Sequence, residues 1–285
     1  MKIQNRKTEY GLRELKLDPR DFKYEHIFGS VSLEDIPDNF IVANPIGIKD
    51  QSDSDMCVAF ATCAVSEDQE NVPLEPKWFF SQIKKLQGNW KKWGADLRDG
   101  AKTAVNVGFI EENDAPFDIK YKDRDFTANW NNWPEDLNEK ALAHRKQSFF
   151  SVACNFDSFR SVLWQNRDEK KTVLTGTLWE SDWNNLKDGI IPEKSTGSEE
   201  TPHAIKIFGQ KKIGDKLYLV AQLSNGANFG DNGLFYFPEE IINSKFSYGA
   251  FIFKDLDPAN MKKVSWSWKV WVYDFLSKLL KKIKI

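Results

Sequence analysis

Asp50-Gln51-Ser52-Asp53-Ser54-Asp55-Met56-Cys57-Val58-Ala59-Phe60 places a glutamine six residues ahead of a cysteine. That cysteine opens a run continuing through Ala61-Thr62-Cys63-Ala64-Val65, apolar all round, as expected of a helix in the centre of a protein. Ser52, Asp53 or Ser54 can cap such a helix. Far downstream, Thr201-Pro202-His203-Ala204-Ile205 sets a histidine on a predicted strand. Cysteine, distant histidine and amide are the parts of a thiol nucleophile, its base and an oxyanion donor.

Composition narrows the alternatives. A chain of 285 residues, 41% hydrophobic with 21 Phe and 11 Trp, can bury a large core. Lys+Arg 40 against Asp+Glu 42 leaves a net charge of -2, which argues against a nucleic-acid partner. No apolar run reaches the roughly 18 residues of a membrane span. Met1 to Glu9 has no apolar core, so no signal peptide is expected, and the location is read as cytoplasmic or virion-associated. Three cysteines, Cys57, Cys63 and Cys154, cannot all pair within the chain, which fits thiols used singly. Cys63 and Cys154 are read as having no role, and His26 and His144 as solvent-facing. Scattered histidines without paired cysteines point to no metal, and no cofactor is expected.

Residues 1–45 are polar and read as an extended strap or prosegment-like lead-in. Helices are predicted across Pro76 to Leu86, Asp96 to Val107 and Trp133 to Arg145, the last with Pro134 in its first turn. After about residue 170 the period changes, and strands are predicted at Thr172 to Leu178, Ala204 to Phe208, Leu217 to Leu223, Leu234 to Phe237 and Ala250 to Phe253. Helices first and strands second define an α+β protein of two lobes.

With those residues laid out, the chain resembles a papain-like, C1-type cysteine protease of the divergent bacterial, archaeal and viral kind, over residues 10–255. Gln51, Cys57, Ala59 and Phe60 match the segment that opens the family's central helix. Gly94, Arg98, Asp99 and Gly100, then Gly108-Phe109-Ile110, echo the following turns, and His203-Ala204 matches the second-lobe strand. Gly226, Gly230, Asp231 and Gly233 match the glycine-rich turn beyond it. The resemblance implies a two-lobe fold with a cleft between a helical first lobe, about 46–150, and an antiparallel β second lobe, about 151–257. It implies Cys57 as nucleophile, His203 as acid and base, Gln51 as oxyanion donor, and Gly94 and Ala95 beside a protein or peptide substrate.

The chemistry suits those positions, since a helix N-terminus and a neighbouring imidazolium lower a thiol pKa from about 8.5 to roughly 3.5–7.5. Three positions depart from the family. Ser54 and Asp55 stand where it has Cys and Gly, so a disulfide is lost and a carboxylate lies near the thiol. Val58 replaces a tryptophan. Leu223 falls where the family's histidine-orienting asparagine belongs, and leucine makes no hydrogen bond. Asn225 shares the strand face of Leu223, about 7 Å further along, and is the substitute candidate; it is equally a residue that tolerates turns.

Residues 258–285 lie outside the resemblance. Trp271, Val272, Phe275, Leu276, Leu279, Leu280 and Ile283 recur at helical spacing among lysines, and residues 262–285 carry seven Lys and one Asp. This basic amphipathic helix fits docking on the protein's own body, an anionic membrane surface or a partner protein. Two function classes stand: a thiol peptidase, or an inactive papain-like fold used for binding, structure or assembly and tethered by that helix.

Overall fold

The computed structural model describes residues 11–15, 18, 19 and 21–255. The basic helix expected over residues 262–285 lies outside them. The described part of the N-terminal strap is mostly irregular, with one short helix, α1 (Tyr24–Phe28), and a two-residue strand, β1 (Phe40–Ile41). A few apolar side chains anchor it: Leu12, Tyr24, Ile36 and Val42 are buried. Asp21 pairs with Arg98, and the Ser151 N–H donates to Phe22 O at 2.9 Å.

The central helix runs Cys57–Glu70 (α2) and is buried along nearly its whole length. None of Ser52, Asp53 and Ser54 caps it: its N-cap is Met56, with no side-chain bond. Those residues are used one turn earlier, where Gln51 O accepts from the Ser54 N–H at 3.3 Å and from its hydroxyl at 2.7 Å. The next two helices follow their signals. α3 (Pro76–Gln87) has proline in its first turn and stops at Gly88 in the left-handed region, and α4 (Leu97–Asn106) is capped by Asp96 accepting from the Asp99 N–H.

Short helices α5 (Phe117–Lys120), α6 (Arg124–Ala128) and α7 (Leu137–Ala141) complete the first lobe. The helix expected from Trp133 to Arg145 is therefore cut to α7 and one 3-10 turn, Leu142–His144. Trp133 is extended, its indole N–H donating to Thr127 O at 2.8 Å, and from Lys146 the chain enters a strand. His144, expected to face solvent, sits with Nδ1 2.9 Å from Glu70 and Nε2 3.6 Å from Glu111.

The second half supplies β2 (Lys146–Ser151), α8 (Phe156–Gln165), β3 (Val173–Glu180), β4 (Glu200–Ile213), β5 (Lys216–Gln222), β6 (Leu234–Pro238), α9 (Glu239–Lys245) and β7 (Ala250–Asp255). They form a seven-stranded sheet ordered β2-β7-β3-β4-β5-β6, with β1 added on β4. β3, β4, β5 and β6 pair antiparallel in succession. Among the described residues no helix is long and apolar enough to cross a membrane.

Strand periodicity divides the core in two. Leu174, Ala204, Phe251 and Phe253 join the helical core around α2 and α3, while Val173, Ile205, Ile207, Ala250 and Ile252 join the core under α8 and α9. Lys206 alternates with Ile205 and Ile207, so its side chain is sent toward α2 with no water to meet it. It is met by Asp68, the two being 1% and 0% exposed and 2.9 Å apart. Thr172 donates to the other Asp68 oxygen at 2.7 Å.

Breaking one half of such a pair leaves a buried charge and costs about 3–5 kcal/mol, whereas replacing both by apolar groups is often neutral. Lys206→Met is expected to lower unfolding free energy by that amount in urea titration. Lys206→Met with Asp68→Leu should recover most of it. Equal losses in the single and double variants would show that the pair does not join α2 to β4.

Candidate active site

Cys57 begins α2, and the first intrahelical bond runs from the Phe60 N–H to Met56 O at 3.1 Å. The N–H groups of the first turn therefore have no partner inside the helix, and no side chain caps them. Gln51 is held beside this helix end by both ends of its amide: Oε1 accepts from the Ser224 hydroxyl at 2.5 Å, and Nε2 donates to Ser54 O at 2.9 Å. The second Nε2 hydrogen is not consumed by those bonds. Ser52, the residue between, has φ 51, a left-handed conformation in a residue with a side chain.

The carboxylate expected to oppose the thiolate is answered in kind. Asp55 is 1% exposed and lies fork to fork with Arg124, at 2.8 Å from Nε and 2.9 Å from Nη2. It also accepts from the Gly94 N–H at 2.5 Å. Arg124 donates onward to Trp90 O at 2.9 Å and Lys92 O at 3.0 Å. From beneath, fully buried Lys84 donates to Lys92 O at 2.6 Å and Gly94 O at 2.5 Å. Burial lowers the Lys84 pKa to about 7 against the pull of Asp55. The loop of residues 90–95 is thus tied to the helix start by the Asp55–Arg124 ion pair and by hydrogen bonds to its amides.

That loop carries Gly94 and Ala95, and Ala95 already holds a peptide. The Arg13 N–H donates to Ala95 O at 2.8 Å, and the Ala95 N–H donates to Gly11 O at 2.9 Å. Leu12 is 1% exposed and packs on Gly176 of β3, where any side chain would collide with it. A Cβ on Gly11 would stand 3.0 Å from Cys57 Sγ, so the strap crosses directly over the sulfur. Cys57 is accordingly 1% exposed. Burial pushes its thiol up to about 12, with Asp55 adding to the rise and the N–H groups of Ala204, Val58 and Cys57 itself opposing it.

His203 lies on β4 next to Ala204, half-buried, with Trp179 edge-on at 6.3 Å between ring centroids. Burial lowers its pKa to about 4, and Nε2 is buried with no hydrogen-bond partner. Thiol and imidazole are both neutral at pH 7 in this strap-covered state, in place of the expected ion pair. Leu223 is 3% exposed and packs in the core with Ile205 and Ala221. Asn225 lines one cavity with His203 and Gln51 but does not bond the ring.

The comparisons bear on the fold. No family model and no curated protein sequence matches the chain. Among solved structures, it is similar to xylellain, a cysteine protease from Xylella fastidiosa, at 20% identity and a TM-score of 0.72, over 87% of this chain and 96% of that one. Procathepsin B S9 from Trypanosoma congolense follows at 15% identity and 0.63, covering 86% and 83%. The bromelain protease from Ananas comosus, in complex with the E64 inhibitor, matches at 16% and 0.56, covering 78% and 100%. The chain has the fold of the papain-like cysteine proteases, mixed helix and antiparallel sheet in two lobes.

His203 and His144 respond to acid in opposite senses. His203 has a folded pKa below its ordinary 6.5, so the unfolded chain takes its proton first and stability falls as pH drops from 6.5 toward 4. His144 is raised by its bond to Glu70, so its contribution is complete below 6.5 and lost as pH rises through its folded value. Urea unfolding at stepped pH should show a decline between 6.5 and 4 that is shallower in His203→Gln. An unchanged slope in that variant would show that the ring is not held neutral.

Proposed function

We propose that the chain is a cysteine peptidase held latent by its own N-terminal strap. The observation that carries this is a peptide backbone, Gly11 to Arg13, paired in both directions with Ala95 and crossing the sulfur at the open end of α2. With the strap lifted, water and substrate reach Cys57 and His203, and the burial that keeps both neutral is relieved. The thiolate attacks the scissile carbonyl carbon, its oxyanion faces the Cys57 N–H and the remaining Gln51 Nε2 hydrogen, and the C–N bond breaks. The amine leaves with the proton from His203, and water then hydrolyses the thioester with His203 as base. No metal takes part in this scheme.

Full-length Leu12→Asp places a charge in the buried strap contact and tests the reading. Alkylation of Cys57 by a thiol-directed epoxide at pH 7 should rise at least about tenfold, ~1.4 kcal/mol in barrier, while Cys63 stays unlabelled. Peptide hydrolysis should appear with it and vanish in Cys57→Ala. A thiol that remains unreactive in the variant would remove the strap from the mechanism.

A second reading, a binding or assembly protein on the same fold, draws on His203 Nε2, which lacks a partner, and on Leu223, a hydrocarbon at the position where the resemblance calls for asparagine. Under the peptidase reading, Asn225 is the substitute. The β4–β5 register, Lys206↔Gln222 and Ile207↔Ala221, continued past the end of the ladder, runs toward His203 opposite Asn225. Asn225→Ala in the Leu12→Asp background should cut hydrolysis about tenfold or more with the melting temperature unmoved. A silent Asn225→Ala, together with no turnover after Leu223→Asn, would favour the binding protein.

A further inference from the structure

Under the peptidase reading His203 returns a proton to the leaving amine, so the leaving fragment must lie against the His203 side of Cys57. The strap runs instead along Ala95 and over Gly176. On the His203 side is a cavity of about 500 Å³ with none of the described strap residues 11–45 in its wall. Gln51 and His203 border it, Trp179 and Phe229 supply two aromatic surfaces, and Asp50 and Asp53 supply two carboxylates. Among the described residues no lysine or arginine lines it; Lys187 lines the neighbouring cavity, which shares Asn184 and Phe229.

The carboxylates are placed and available. The Ser52 N–H donates to Asp50 Oδ1 at 2.7 Å, and the Asp50 backbone is bridged to Asn225, so Asp50 is fixed at the rim. Asp53 follows in the same tight turn and is exposed. Neither enters an ion pair with a described residue, since Lys49, the nearest cation in sequence, is committed to Glu67 at 2.6 Å. Two unneutralised carboxylates facing two aromatic rings suit a long side chain with a cationic tip, the stem lying on the rings and the charge at the rim.

We propose that the first residue on the leaving side of the scissile bond is lysine or arginine, selected by Asp50 and Asp53 with Trp179 and Phe229. This rests on the peptidase reading, and two measurements separate the failure of one from the failure of the other. In the first, matched peptides with Lys, Arg, Gln or Glu at that position are turned over by full-length Leu12→Asp. Lys and Arg should exceed Glu about tenfold in kcat/KM, with the ratio falling toward one in Asp50→Asn with Asp53→Asn, and at high salt.

In the second, lysyl-, norleucyl- and glutamyl-alanine amides are titrated into the full-length wild type and followed by the Trp179 indole resonance. The lysyl peptide should shift it at the lowest concentration, and the double asparagine variant should erase that advantage. Charge-blind turnover, or a preference that survives both asparagines, overturns the pocket and leaves the peptidase. Charge-dependent binding without turnover of any peptide keeps the pocket and overturns the peptidase. Neither turnover nor charge-dependent binding overturns both.

Discussion

The Lys206–Asp68 pair fixes the relation between the two elements that bear Cys57 and His203. α2 bears Cys57 at its first residue and Asp68 near its last turn, while β4 bears His203 three residues before Lys206. Apolar packing alone is non-directional and tolerates sliding of a helix along a sheet. A dry ion pair does not, because moving either charge off the other leaves it unsolvated. The sulfur and the Ala204 N–H that faces it stay in register for this reason.

A similar logic governs the other wall of the cleft. Loop 90–95 must present the backbone of Ala95 edge-on, and a loop cannot hold that attitude by burial, since its own amides need partners. Asp55, Arg124 and Lys84 supply them, the two cations bonding carbonyls of the loop and the carboxylate taking the Gly94 N–H. Arg124 is met by two carboxylates, Asp55 and Asp125, while burial brings Lys84 to about 7. Asp55 therefore serves the scaffold at some expense to the thiol, whose protonated form it favours.

What the sequence revealed and what it hid follow from the range of the forces involved. α2, α3, α4 and the strands from β3 onward were legible because apolar spacing, Asp96 and Gly88 are local signals. Gln51, Cys57 and His203 were legible as a set, and the structure places Gln51 at the end of α2 and His203 on β4 beside the Ala204 that faces the sulfur. β2 was missed because Lys146 to Ser151 alternates poorly, with Tyr24 and Phe28 of the strap packing on its Phe150. The capping of α2 was misjudged because Ser52 to Ser54 carry the right side chains but are turned back onto Gln51. Asp55 with Arg124, and Lys206 with Asp68, join residues far apart in the chain, and nothing in either neighbourhood names the other. The strap's docking on Ala95 is made by backbone, which leaves no mark on residue types.

His203 brings these strands together. Its ring is neutral because it is buried, and its Nε2 has no partner, while Leu223, at the position the resemblance assigns to asparagine, packs with Ile205; a buried nitrogen without a partner costs stability. Such a cost persists when the surrounding structure over-determines the position, and here Leu223 earns its place in the core with Ile205 and Ala221. His203 shares a cavity with Asn225, on a segment, Ser224 to Gly226, that is held by Gln51 and Lys49 rather than by β4. Movement of that segment, unlike movement of β4 or α2, breaks no buried ion pair. Under the peptidase reading proposed above, reorientation of His203 would therefore be met on the Asn225 side, where hydrogen bonds to Gln51, Lys49 and Asp50 must give way but no buried ion pair among the described residues does.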